Sequence, residues 1–211
     1  AGLFVLKSLK ELRHLRIDGV TFSDPGMVNI NGLHELLSLR VPDAPIGDPG
    51  MNQIKGAFKL TQLFIGNGYQ LTDKAAADIR DLPSMAELTV KDAKFTDKGF
   101  ELLSELKDLE HLNLPGAKNL TDAIWPFAKK LEELRTLDVS GSKVTGKGID
   151  AISELSRLRS LNFENTPLND EALTYLRRLP GLIEINLKNT KVRDAAVKEF
   201  QAARPKVKVT R

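Results

Sequence analysis

The sequence predicts a right-handed α/β solenoid of stacked units, each with a short strand followed by a helical segment. Three observations predict it. Apolar residues recur with a spacing of 24 or 25 along all 211 residues. The first half of each unit alternates apolar and polar residues, as a strand with one buried face must. The second half switches to helical spacing, as in Phe100, Leu103 and Leu106. A lone unit cannot bury both faces, so stability has to come from stacked neighbours.

The strand half is defined by three series. Leu12, Leu36, Leu60, Met85, Leu109, Leu134, Leu158 and Leu182 open each unit. Three residues on come Leu15, Leu39, Leu63, Leu88, Leu112, Leu137, Leu161 and Ile185; two further on come Ile17, Val41, Ile65, Val90, Leu114, Val139, Phe163 and Leu187. All 24 positions are apolar, which defines about eight full repeats. The helical half repeats too, with Met27, Ile30 and Leu33 in one unit and Ile149, Ile152 and Leu155 in another.

These residues carry a resemblance to leucine-rich repeat proteins that covers essentially the whole chain. The stretch "LEELRTLDVSGSKVTGKGIDAISEL" is most similar to the 24-residue T-D-x-G-L repeats of many bacterial proteins, and is also similar to the repeats of F-box-associated proteins. The resemblance implies a horseshoe with a parallel sheet inside and helices outside. The ninth position departs from the asparagine or cysteine of many such families. It reads Val20, Ala44, Gly68, Ala93, Ala117, Ser142, Thr166 and Thr190. An asparagine ladder is therefore absent, leaving some Ser and Thr hydroxyls to bond the turn backbone.

The chain reads as one domain, 1–211. "GLFVLKSLKEL" (residues 2–12) aligns with "GFELLSELKDL" (99–109), so 1–11 is read as the helix of a partial repeat. Residues 204–211, "RPKVKVTR", read as a last strand through Val207 and Val209, its edge blunted by charge. These ends predict a piece of a longer chain. Its open N-terminal coil is expected to favour self-association unless Leu3, Phe4 and Leu6 cover it.

Seven aspartates recur 12 or 13 residues after the strand's first position: Asp24, Asp48, Asp73, Asp97, Asp122, Asp170 and Asp194. The two 25-residue units place their extra residue before the acid, in "GNGYQLTD" and "PGAKNLTD", so its distance to the helix stays constant. That rule predicts structural N-caps, which accept bonds from free backbone N–H groups. Calcium ladders need two or more acids per turn, and each turn here offers one.

One unit lacks the acid. Its "GSKVTGKG" (141–148) almost matches a phosphate-cradling loop but has Gly148 where a hydroxyl is needed. The repeat accounts for both glycines, with Gly146 in the cap slot and Gly148 matching Gly26, Gly50 and Gly99. His14 and His111 occupy one strand position four repeats apart, on the order of 20 Å, too far to share a metal. Trp125 falls on a core position, and Pro126 suits a first helical turn.

Composition narrows the function. Lys+Arg number 31 against 28 Asp+Glu, for a net charge of +3, and aromatics are 6%; this makes no case for nucleic acid. No stretch approaches the roughly 20 apolar residues that span a bilayer. Cysteine is absent, which excludes disulfides and thiolate chemistry and fits a reducing compartment or secretion alike. No nucleophile–base set or close carboxylate pair stands out, so no enzyme, metal or cofactor is expected.

Function is then expected on the outward strand positions. The central series reads Arg16, Arg40, Phe64, Thr89, Asn113, Asp138, Asn162 and Asn186; the one before it includes His14, Gln62 and His111. Exposed Arg beside Phe is a composition that anchors protein interfaces. A protein partner bound by Arg16, Arg40 and Phe64 with His14 and Gln62 is the leading expectation. The Asn–Asp–Asn–Asn run at the other end suggests a glycan-binding surface as the alternative, and a substrate-targeting arm of a larger multidomain protein is the other.

Overall fold

The computed structural model describes residues 2–19 and 22–211. Among the described residues, nine strands form one parallel sheet in strictly sequential order. They are β1 (His14–Arg16), β2 (Ser38–Val41), β3 (Gln62–Ile65), β4 (Glu87–Val90), β5 (His111–Asn113), β6 (Thr136–Asp138), β7 (Ser160–Asn162), β8 (Glu184–Asn186) and β9 (Lys208–Thr210). Each residue pairs with its repeat equivalent, as in Leu39 with Leu63 and Leu63 with Leu88. The fold is the leucine-rich repeat solenoid, sheet on the concave side and helices on the convex side.

The predicted apolar series form one continuous core. Leu36, Leu60, Met85, Leu109, Leu134 and Leu158 are fully buried, and so are Phe95, Phe100, Trp125 and Phe163. Trp125 meets Phe163 edge-on at 6.2 Å between ring centroids. Its indole N–H donates to Asp122 at 3.2 Å. At the N-terminal end Leu6 is buried while Leu3, Leu12 and Leu15 are half-buried, and Phe4 is 71% exposed.

Strand exits depend on a residue the apolar pattern does not show. The position after each strand turn adopts a left-handed conformation in Gly19, Asp92, Gly116, Gly141, Asn165 and Asn189. Gly, Asn and Asp tolerate positive φ where β-branched and bulky residues do not. The neighbouring ninth position behaves as expected where a hydroxyl is present. Thr166 and Thr190 donate to the carbonyls of Phe163 and Leu187. The Ser142 hydroxyl accepts from the Val144 N–H. Val20 lies outside the described residues.

The convex elements vary in length. They are α1 (Asp24–Met27), α2 (Asp48–Met51), α3 (Asp73–Arg80), α4 (Asp97–Leu103), α5 (Trp125–Ala128), α6 (Asp170–Leu176) and α7 (Asp194–Ala203). The four-residue helices α1, α2 and α5 carry proline in their first turn, where no N–H is needed. The coil 134–157 has only the 3₁₀ turn Ile149–Ile152. Gly146 and Gly148 take φ of +94° and +82°, which is incompatible with an α-helical first turn. Gly148 therefore differs from Gly26, Gly50 and Gly99, whose φ is not positive.

The last coil is held by two arginines. Arg204 donates to the carbonyls of Arg177, Leu179 and Leu182, one coil earlier. Arg211 donates to Asp194 and to the Val192 carbonyl.

Candidate functional site

Parallel register aligns the outward side chains of the sheet into rows. Arg16, Arg40, Phe64, Thr89, Asn113, Asp138, Asn162, Asn186 and Thr210 are successive Cα partners. His14, Ser38, Gln62, Glu87, His111, Thr136, Ser160, Glu184 and Lys208 form a second row beside them. The structure thus brings every sequence-predicted surface residue onto one face.

The two ends of that face differ. At the N-terminal end the Arg40 guanidinium lies 4.4 Å above the Phe64 ring centroid, a cation–π contact. Phe64 is half-buried and Arg40 exposed. Arg16 is committed to Asp18. Gln62 donates to Glu87 at 3.1 Å.

Towards the C-terminus the polar row is engaged with itself. Asn113 donates to the Thr89 hydroxyl at 3.2 Å, Asn162 to Asp138 at 2.8 Å and Asn186 to Glu164 at 3.1 Å. The carbonyl or carboxylate oxygens of Asp138, Asn162 and Asn186 accept the backbone N–H two residues on, in Ser140, Glu164 and Lys188. These are Asx turns closing the strand ends. His111 Nδ1 lies 3.0 Å from the Thr136 hydroxyl. A shallow cavity of about 260 Å³ remains here, lined by Ser160, Asn162, Glu184, Asn186 and Thr210.

The aspartates are not the helix caps. Asp24, Asp48, Asp73, Asp97, Asp170 and Asp194 each open their helix as its first residue, and Asp122 opens a 3₁₀ turn. The caps are one residue earlier. Thr72, Thr96, Thr121 and Asn169 accept from the backbone N–H two residues on with their side-chain oxygens. The carboxylates are turned to the following coil instead. Asp48, Asp73 and Asp97 accept the backbone N–H of Thr72, Thr96 and Thr121 at 2.7 to 2.8 Å. Each also accepts the hydroxyl of the same threonine at 2.6 Å. Asp24 accepts from the Gly47 N–H, and Asp122 from the N–H groups of Thr145 and Gly146. Asp194 meets Arg211.

A local capping rule misses this because donor and acceptor lie 23 or 24 residues apart. The clue was present in the threonine before the acid and the glycine after it. A Cβ on Gly99 would stand 2.3 Å from Asp73 Oδ1, and one on Gly50 would stand 2.4 Å from Asp24 Oδ1. Glycine there admits the carboxylate of the preceding coil. Gly146 interrupts the series, and the Asn169 N–H turns to the Thr145 carbonyl at 3.1 Å.

Asp170 completes the set by accepting the Arg193 N–H at 2.7 Å and its guanidinium. The backbone N–H first, and then the guanidinium, hold its carboxyl below the ordinary carboxylate value. The Lys59 ammonium, bonded to Glu35 in the segments that lead into β3 and β2, likewise holds the Glu35 carboxyl below its ordinary value. Among the described residues no group of three His, Cys, Asp or Glu side chains converges on a metal-sized site. No helix among them is long and apolar enough to cross a membrane.

Comparison with known proteins agrees with the coil geometry. A family profile described as Leucine Rich repeat matches residues 133–153. No curated protein matches the chain in sequence. An internalin (inlF) from Listeria monocytogenes superposes over 100% of the chain with a TM-score of 0.78 at 20% identity. An internalin C2 (inlC2) of the same organism does so over 95%, with a TM-score of 0.68 at 23% identity. The plant peptide hormone receptor RGFR1, solved in complex with RGF2, matches over 88% with a TM-score of 0.60 at 20% identity. The chain spans 57% of the first of these, 80% of the second and 33% of the third. By its repeat, its sheet and these likenesses, the chain is a leucine-rich repeat protein in fold.

Proposed function

We propose that this chain is a non-catalytic recognition module that binds a protein partner on the N-terminal part of its concave sheet. The Arg40–Phe64 pair carries the reading. An aromatic ring and a guanidinium stand together, outward, on a face that the core does not need. Trp, Tyr and Arg dominate interface energetics, and a stacked Arg brings both apolar area and directed donors. Arg16, His14 and Gln62 flank the pair within two strands. A large in-register surface on a stacked scaffold is also how repeat folds offer extended contact areas. The glycan alternative loses support, because Asn113, Asn162 and Asn186 already bond their neighbours.

The test is affinity capture with purified wild type beside an Arg16→Glu, Arg40→Glu, Phe64→Ala triple variant of equal melting temperature. A captured protein that also binds purified wild type directly, and binds the variant at least tenfold more weakly, supports the reading. Equal binding by both would overturn it.

A further inference from the structure

We infer that Asn31 is a site of spontaneous covalent modification, where the folded chain lets asparagine convert to isoaspartate while it protects its other Asn–Gly junction. The two junctions are Asn31–Gly32 and Asn67–Gly68, and Asp18–Gly19 is their acid counterpart.

The reaction needs only water and base. The Gly32 nitrogen, losing its proton to solvent base, attacks the side-chain carbonyl carbon Cγ of Asn31. A ring C–N bond forms, the Cγ–Nδ2 bond breaks, and ammonia leaves. Water then opens the ring on either side of the nitrogen. Cleavage at Cγ gives aspartate. Cleavage at the main-chain carbonyl gives isoaspartate, whose main chain runs through the former side chain. Glycine favours ring closure because it brings no Cβ and bends freely.

The fold treats the junctions differently. Asn31 is exposed, and among the described residues the Gly32 N–H donates to no hydrogen bond. A Cβ on Gly32 would meet only the Lys10 Nζ, at 3.1 Å, so the turn has room to bring nitrogen onto Cγ. The Asn31 amide donates to Gln53 at 3.2 Å, an exposed bond that water replaces at little cost. Gly68 is buried and its N–H donates to the Lys91 carbonyl at 2.9 Å. A Cβ there would stand 2.7 Å from that carbonyl oxygen and 2.8 Å from Val90, so this backbone cannot bend. The Gly19 N–H is held by Asp43 at 2.8 Å, and Asp18 by Arg16.

The product acts on the core. The Leu33 N–H donates to the Ile30 carbonyl at 3.1 Å, closing a turn over Asn31 and Gly32. Ile30 and Leu33 on either side are both buried. Isoaspartate adds one carbon to the main chain inside that turn. The bond and the two side chains cannot then all keep their places in a close-packed interior. Aspartate at the same position adds a charge and no carbon, so it leaves the turn intact.

The experiment incubates the purified chain at mildly alkaline pH, folded and in urea, and follows each junction by peptide mass spectrometry. Electron-transfer fragmentation distinguishes isoaspartate from aspartate. In the folded chain Asn31 should convert at least tenfold faster than Asn67, with isoaspartate the main product. In urea the two asparagines should convert at similar rates, since their neighbouring glycines are then equivalent. Equal rates in the folded chain would overturn the proposal, and so would an Asn31 that converts only after unfolding. Asn31→Gln should stop conversion at this position while the fresh protein keeps its melting temperature. The aged protein, separated from the amide form by ion exchange, should show faster amide exchange through 24–36 than Asn31→Asp does. Identical exchange in the two would overturn the effect on the turn.

Discussion

Asp97 holds Thr121 of the next coil by two bonds at once, its carboxylate accepting the backbone N–H at 2.7 Å and the hydroxyl at 2.6 Å. The same hydroxyl accepts the Ala123 N–H, so Thr121 caps its own turn while it is held from behind. A carboxylate in this geometry joins two coils that no covalent link joins closely, and it orients the start of the second turn.

Removing the Asp97 carboxylate leaves two donors without their charged acceptor. Hydrogen bonds to charged groups contribute about 1.5–3 kcal/mol, more than the roughly 1 kcal/mol of a simple cap. We expect Asp97→Ala to lower stability by that larger amount in urea unfolding, with partner binding on the concave face unchanged. In a double-mutant cycle with Thr121→Ala the two losses should be clearly less than additive. Additive losses would mean that the two side chains do not act as a unit.

Gly99 gives a steric version of the same test. Its Cβ would stand 2.3 Å from Asp73 Oδ1, so Gly99→Ala has to displace the carboxylate from Thr96. The expected cost is at least that of Asp73→Ala, and adding Gly99→Ala to Asp73→Ala should cost much less than alone. Thermal melts of the three variants measure this, and a stabilised Gly99→Ala would refute the close approach.

Acid should loosen the joint at Asp170. Its pKa is lowered in the folded chain, so its contribution is present above the unfolded value of about 4 and is lost as pH falls through the folded value. Wild type should lose melting temperature on going from pH 5 to about pH 3, and Asp170→Asn should lose less over that range. Parallel pH profiles for the two would contradict the assignment.

Arg204 binds three carbonyls of the preceding coil. Arg204→Ala should raise amide exchange through 194–211, while amides of 60–115 stay as protected as in wild type. Repeat folds transmit such losses mainly to nearest neighbours. Uniformly faster exchange would show instead that the whole stack opens as one unit.

The strands and the core were legible because every inward position of 24 is apolar and each strand alternates. The turn type was less so: whether Ile149–Ile152 becomes α or 3₁₀ depends on the left-handed backbone of Gly146 and Gly148, which glycine permits without demanding. The outward rows followed directly from register, and Arg40 and Phe64 met as neighbours. What the outward residues do with each other was hidden. Asn162 and Asn186 look free in a sequence and are bonded on the sheet, because neither partner's orientation is encoded locally. The aspartates were found at the right places and given the wrong neighbours for a similar reason.

A coil such as 85–108 carries half of two different joints: Thr96 and Gly99 receive from behind, and Asp97 reaches ahead. A tandem copy of such a unit, spliced between any two like itself, arrives with both halves and needs no adjustment by its neighbours. The number of coils can therefore change in whole steps, each lengthening the concave face by about 4.8 Å. The unit 134–157 breaks that freedom, since it can follow an aspartate but has none to offer its successor. Copying it would multiply the weak seam.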